Sequence, residues 1–189
     1  MGKNGKKRYA MGKIILITGG QRSGKSAYAE NLALRLSDSP VYVATAHIWD
    51  EEFRQRVERH KARRGSQWTN IEEEQFLSRH DLTGRVAVVD CLTLWYTNFF
   101  FNRNKADGEQ PSVDEALEGL KAEFDKFTDK SDATYIFVTN EIGSGGVSDN
   151  AVQRRFTDLE GWMNQYVAAH ADVVVLMVCG IPTVIKGSL

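Results

Sequence analysis

Cysteine is almost absent from this chain of 189 residues: there are two, Cys91 and Cys179, far apart and each following a strand-like run. So sparse a pair offers no disulfide framework and reads as two buried thiols in a reducing compartment. No apolar run approaches the ~20 residues that a bilayer-crossing helix needs, and the N-terminus lacks the hydrophobic stretch of a signal peptide. The expected location is therefore cytoplasmic. Charge of neither sign dominates, with 24 Lys and Arg against 25 Asp and Glu. No bulk field then argues for nucleic acid or a membrane surface as the main partner. Also missing are the His/Cys/Asp/Glu spacing of a zinc site, the Ser–His–Asp signature of a hydrolase, the N-K-x-D guanine motif of common GTPases, internal repeats and low-complexity tracts.

What is present begins with Gly19-Gly20-Gln21-Arg22-Ser23-Gly24-Lys25-Ser26, which fits G-x-x-x-x-G-K-[ST]. Ile14-Ile15-Leu16-Ile17 before it reads as a buried strand, and Ser26 to Leu36 after it reads as a helix. That context turns the pattern into a phosphate-binding loop, with backbone N–H groups and a helix N-terminus aimed at an anion. Lys25 is placed to reach the β- and γ-phosphates, and the Ser26 hydroxyl to ligand Mg²⁺.

Residues 1–10 are basic and aperiodic, and Met11 stands just before the first strand. They read as a disordered arm or start-site extension, leaving 11–189 as a single nucleotide-binding catalytic domain. Along it, short β-branched runs alternate with helical patterns: Val41–Thr45, Asp50–Arg64, Val86–Asp90, Ser112–Phe127, Thr134–Thr139, Asn150–His170 and Asp172–Val178. Residues 102–111 read as a surface loop. This pattern predicts an α/β fold, a mostly parallel sheet with helices on both faces, of P-loop NTPase (RecA-like) type. Ligands of such sheets bind at the carboxyl ends of the strands. Four segments besides the phosphate loop should line that rim: Ala44–His47, Asp90–Thr93, Thr139–Gly143 and Cys179–Pro182.

Asp90 ends an apolar strand. It reads either as the second Mg²⁺ ligand or as the cap of the next helix. Asn140 and Glu141 also end a strand, and either belong to the site or satisfy a turn. In the Asp50–Arg64 helix, Phe53, Val57 and His60 share one face, and Arg59, Lys61, Arg63 and Arg64 surround His60. Cations disfavour a protonated imidazole and hold phosphates, so His60 is a candidate nucleophile toward an α-phosphate. A helix-end cap is the alternative.

The segments Gly19 to Ser26, Tyr42-Val43-Ala44-Thr45, Arg59-His60-Lys61, Trp68, Val138-Thr139-Asn140-Glu141-Ile142-Gly143 and Gly180-Ile181-Pro182 together resemble one family, the bifunctional adenosylcobinamide kinases/adenosylcobinamide-phosphate guanylyltransferases of cobalamin assembly. The resemblance implies phosphorylation of adenosylcobinamide by ATP or GTP. It further implies transfer of GMP from GTP, through a guanylylated histidine, to adenosylcobinamide phosphate. It puts that histidine on His60 and the phosphate loop on Gly19, Gly20, Gln21, Arg22, Ser23, Gly24, Lys25 and Ser26. Other nucleotide contacts fall on Ala44, Thr45, Ala46, Lys61, Ala62, Arg63, Arg64, Glu72 and Asp90. A homotrimer is also implied. Two departures stand out: Arg59 occupies the place of a second histidine, and Asp90 that of a longer Glu. The alternatives are a small-metabolite kinase with a structural His60, and a nucleotide-dependent switch.

Overall fold

The computed structural model describes residues 12–48, 50–62, 64–101, 112–129 and 132–189; within that span the side chains of Glu52, Phe53, Arg56, Arg59, His60 and Ala62 are outside the description. The proposed arm, residues 1–10, and the loop 102–111 thus lie outside the described residues, as does Arg63. Strands β1 (Ile14–Thr18), β2 (Val41–Ala44), β3 (Thr69–Glu72), β4 (Val86–Asp90), β5 (Thr134–Val138), β6 (Val173–Val178) and β7 (Ile181–Lys186) form one sheet. Their order is β3-β2-β4-β5-β1-β6-β7. All pairings are parallel except β6 with β7.

Helices α1 (Lys25–Leu36), α2 (Glu51–Ala62), α3 (Leu92–Phe100), α4 (Val113–Thr128) and α5 (Ala151–His170) connect the strands. Side chains alternate across each strand, so every apolar strand feeds two cores. Ile15, Ile17, Val88, Ile136, Val138 and Val175 pack with Ala29, Leu32 and Ala33 of α1. Leu16, Val43, Val89, Tyr135, Phe137 and Val174 pack with Trp95, Leu120, Phe124, Leu159 and Met163 of α3, α4 and α5. Burial on both faces explains the continuous apolar runs, and all five residues of β5 are buried. Ser112 caps α4 by accepting from the Glu115 N–H, as its sequence predicts.

Two strands have no apolar signature. β3, Thr-Asn-Ile-Glu, is largely exposed at one sheet edge; β7 is exposed throughout at the other. Pro182 is tolerated in β7 because an edge strand spares a donor. One of the two cysteines also differs from expectation. Burial pushes the Cys91 thiol up to about 12, whereas Cys179 follows β6 in an exposed turn at φ 52°. That turn reverses the chain into the antiparallel edge strand, which keeps its side chain out of the core.

Candidate active site

The glycine-rich loop runs from the end of β1 into α1. Gly19 has φ 144°, and a Cβ there would stand 2.4 Å from the Met177 carbonyl oxygen. Gly24, at φ 95°, begins α1 in the left-handed region, where glycine carries no penalty. The first turn of α1 holds no acidic residue, so its N-terminal dipole is uncompensated and suits an anion. Lys25 is 7% exposed. Its Nζ donates to the Gly20 carbonyl at 2.6 Å and lies 3.5 Å from Ser23 Oγ. Burial lowers its pKa, and the neighbouring acidic groups, Asp90 and Glu160 among them, partly oppose this. Behind the loop, the Gly180 N–H donates to the Ser23 carbonyl at 3.0 Å.

A cleft of about 680 Å³ opens above the carboxyl ends of β1, β2, β4 and β5. Of the residues singled out from the sequence, Gly20, Gln21, Ser26, Ala44, Ala46, Arg64, Glu72, Asp90, Asn140 and Glu141 line it. Three of the four expected rim segments therefore reach it. The fourth does not: Cys179–Pro182 buttresses the outside of the phosphate loop through Gly180. Thr45 is fully buried and donates its hydroxyl to the Cys91 carbonyl at 2.8 Å, joining the chain after β2 to the end of β4. Asn98 of α3 fixes the same chain, donating to the carbonyls of Thr45 (2.8 Å) and Glu74 (2.7 Å). Lys61 pairs with Glu72 at 2.5 Å, which raises the lysine pKa.

Arg64 lines the cleft and is held in place from several sides. Its guanidinium carbon sits 3.6 Å from the centroid of the Tyr42 ring. Its Nε donates to Asn70 Oδ1 at 2.8 Å, and Nη1 faces Glu30 at 3.6 Å. Arg64 is thus a stacked, largely buried cation at the cleft wall that braces Tyr42. Tyr42 in turn donates its hydroxyl to Asp90 Oδ2 at 2.7 Å. Asp90 does not cap α3, whose N-cap is Cys91 without a side-chain bond. Ser26 and Asp90 share the cleft wall. A hydroxyl and one carboxylate make the sparse oxygen set that holds Mg²⁺ when phosphates and water complete its shell, so the donors fit that ion.

His60 lies in α2, with its side chain outside the described residues, as is that of Ala62. Val57, one turn earlier, and Arg64, four residues later, both line the cleft.

Sequence reasoning missed the floor of the site. Glu160 of α5 is 1% exposed. Its Oε1 accepts from Thr93 Oγ1 at 2.8 Å and its Oε2 from the Ile142 N–H at 3.3 Å. Burial raises its pKa to about 7; the bonds from Thr93 and Ile142 and the charge of Lys25 oppose this, and Glu141 adds to it. Thr93 lines the cleft and accepts from both the backbone N–H and Nδ2 of Asn140, at 3.0 and 3.1 Å. Asn164, one turn along α5 from Glu160, donates to the Asn140 carbonyl at 3.0 Å. A buried Glu and Asn at i and i+4 inside a helix carry no local motif; only their place under the strand ends reveals them.

Comparison with known proteins settles the family. A family model described as "Cobinamide kinase / cobinamide phosphate guanyltransferase" matches residues 15–185. The chain belongs to this family. It is 37% identical over 178 residues to the bifunctional adenosylcobalamin biosynthesis protein CobP of Pseudomonas aeruginosa, covering 91% of this chain and 96% of that one. It is 33% identical over 181 residues to the bifunctional protein CobU of Escherichia coli K12, covering 92% and 99%. Membership makes it a bifunctional enzyme, kinase and nucleotidyltransferase. Among solved structures, the ATPase EscN of the enteropathogenic E. coli type III secretion system aligns with TM-score 0.54 at 12% identity, over 89% of this chain and 43% of EscN. That likeness bears on the fold, a RecA-like P-loop NTPase. No helix among the described residues is long and apolar enough to cross a membrane.

Proposed function

We propose that this enzyme phosphorylates adenosylcobinamide and then guanylylates the product through His60. In the first reaction the aminopropanol hydroxyl oxygen attacks the γ-phosphorus of ATP or GTP. The bond to the β-γ bridging oxygen breaks, the nucleoside diphosphate leaves and the hydroxyl proton is released. In the second, an imidazole nitrogen of His60 attacks the α-phosphorus of GTP and pyrophosphate leaves. A phosphate oxygen of adenosylcobinamide phosphate then attacks the same phosphorus, the P–N bond breaks, and adenosylcobinamide-GDP forms with the imidazole restored.

The observation that carries this reading is the shared cleft: Gly20, Gln21 and Ser26 of the phosphate loop and Val57, Arg64 and Glu72 around α2 line the same cavity. One triphosphate cradle can therefore stand within reach of two chemistries. Lys25 supplies a positive charge beside the transferring phosphoryl group once it leaves the Gly20 carbonyl. Ser26 and Asp90 would hold Mg²⁺, which neutralises charge on the phosphate oxygens. The family model's description and the phosphate loop support GTP and ATP as substrates; the resemblance supports residues 11–189 acting as one catalytic unit in a homotrimer, and the scarce cysteine supports a cytoplasmic location.

Incubation with Mg²⁺ and GTP labelled at the α-phosphate tests the covalent step. Acid-labile, base-stable label should remain on the protein, and His60→Ala should abolish it while kinase activity persists. Unlabelled wild-type protein sinks the guanylyl-histidine assignment.

A further inference from the structure

We propose that Glu160, acting through Thr93, is a positioning residue that turns the Asn140 side-chain amide so that its oxygen is left for the acceptor alcohol in the cleft. The inference rests on the kinase reading above and extends it to the orientation of the second substrate.

The argument is a count of protons. A threonine hydroxyl has one proton to give and two lone pairs to accept with. Thr93 gives its proton to Glu160 Oε1 at 2.8 Å. It accepts from the Asn140 backbone N–H at 3.0 Å and from Asn140 Nδ2 at 3.1 Å. Its capacity is then full. The other Glu160 oxygen is committed to the Ile142 N–H. Above pH ~7, where Glu160 is ionised, the sense of the chain therefore runs from Asn140 to Thr93 to Glu160, and it ends on a carboxylate that only accepts. With that terminus fixed, the amide nitrogen must face Thr93 and the amide oxygen is the end that remains.

The backbone around Asn140 is pinned separately. Asn164 Nδ2 donates to the Asn140 carbonyl at 3.0 Å, and Asn164 Oδ1 accepts from the Thr139 hydroxyl at 2.8 Å. Rotation of the amide is thus the freedom the network still has to decide. Asn140 and Thr93 both line the cleft. An amide oxygen there accepts from an alcohol O–H and repels phosphate oxygens. It therefore suits the acceptor hydroxyl and not the triphosphate.

Glu160→Gln provides the test. Its amide oxygen must take the Ile142 N–H, because two donors cannot face each other, so its nitrogen donates to Thr93. The chain reverses: Thr93 now donates to Asn140, the amide turns, and Nδ2 is presented instead of the oxygen. Adding Asn140→Asp keeps the reversed sense but restores an acceptor in the cleft, since one carboxylate oxygen accepts from Thr93 and the other is left for the acceptor alcohol. At pH 8, where wild-type Glu160 is ionised, each single variant should lose roughly 10- to 100-fold in kcat/KM for adenosylcobinamide, the scale of one misplaced buried hydrogen bond. Equilibrium binding of a non-hydrolysable GTP analogue should be unchanged in both. The double variant should recover to within about threefold of wild type. Additive losses in the double variant overturn the proposal, as does wild-type behaviour of Glu160→Gln. Should Glu160→Gln fold poorly, Thr93→Ser and Thr93→Val replace it: serine should exceed valine by roughly tenfold in kcat/KM, and equal rates overturn the proposal. A folded wild-type protein that binds nucleotide but does not phosphorylate adenosylcobinamide fails the kinase reading and this inference with it. An active wild type with additive variants fails this inference alone.

Discussion

Lys25 is held under the phosphate loop with its ammonium on the Gly20 carbonyl, in surroundings that lower its pKa by burial. A buried cation bonded only to neutral oxygens is costly, and a triphosphate would relieve that cost by pairing with it. Lys25→Ala should therefore lower the kinase kcat by roughly 10²–10³-fold, the scale of one lost transition-state contact. Steady-state kinetics on the purified variant checks this, and an unchanged kcat would remove Lys25 from the mechanism. Glu160 makes the opposite kind of bargain. Thr93, Tyr96 and Cys91 face it from α3 and its N-cap, Lys25 from α1, Glu141 and the Ile142 N–H from the loop after β5. Its folded pKa of about 7 lies above the ordinary 4.5. Below pH ~4.5 folded and unfolded chains both hold the proton. Between there and pH ~7 only the folded chain does, so stability falls as pH rises through that window and levels off above it. Glu160→Gln escapes this loss and should be more stable at pH 8, by at most on the order of 3 kcal/mol. Urea melts of both proteins at pH 5 and pH 8 check this; an equal difference at the two pH values would refute it.

Elements differ in how openly their sequences declare them. The phosphate loop was legible because glycine spacing, strand and helix are contiguous. So were β1, β2, β4, β5 and β6, which burial on two faces makes continuously apolar. β3 and β7 were not: edge strands are specified by pairing to a neighbour and need no apolar pattern. The same limit applies to the site. Asp90, Asn140 and Glu141 stand at strand ends and were found by topology. Tyr42, Glu160 and Asn164 come from β2 and α5 and reach that rim, where Thr93 of the expected Asp90–Thr93 segment already stands, only through folding. The element that carries most of the hidden floor is α5. Its N-cap, Asn150, accepts from the N–H groups of Val152 and Gln153. Asn150→Ala should cost about 1 kcal/mol of stability while leaving the geometry roughly three to four turns away at Glu160 and Asn164 intact. A lowered denaturation midpoint with unaltered kcat is the expected result. Loss of kcat in the still-folded variant would mean that the start of α5 moves with the cleft.

At the scale of the molecule, the cleft lies where the two layers meet. The wall formed by Gly20, Gln21 and Ser26 belongs to the loop and α1, which pack on one face of the sheet. Thr93 and Leu94 belong to α3, which packs on the other. Asp90, Asn140 and Glu141 sit at the strand ends between them. A nucleotide bound there touches both layers, so its binding energy adds to the cooperative unit and not to one loop. At a hundred times its Kd a ligand selective for the folded state adds about 2.7 kcal/mol. For a protein of this size that shifts Tm by roughly 5–10 °C. Calorimetry with a non-hydrolysable GTP analogue and Mg²⁺ should show one transition moving as a whole, by an amount that grows with the logarithm of ligand concentration. Gly19→Ala should abolish the shift, because its Cβ would collide with the Met177 carbonyl and displace the loop from its backing strand β6. A split transition, with one part insensitive to the analogue, would show that the two layers unfold separately and that the nucleotide is held by only one of them.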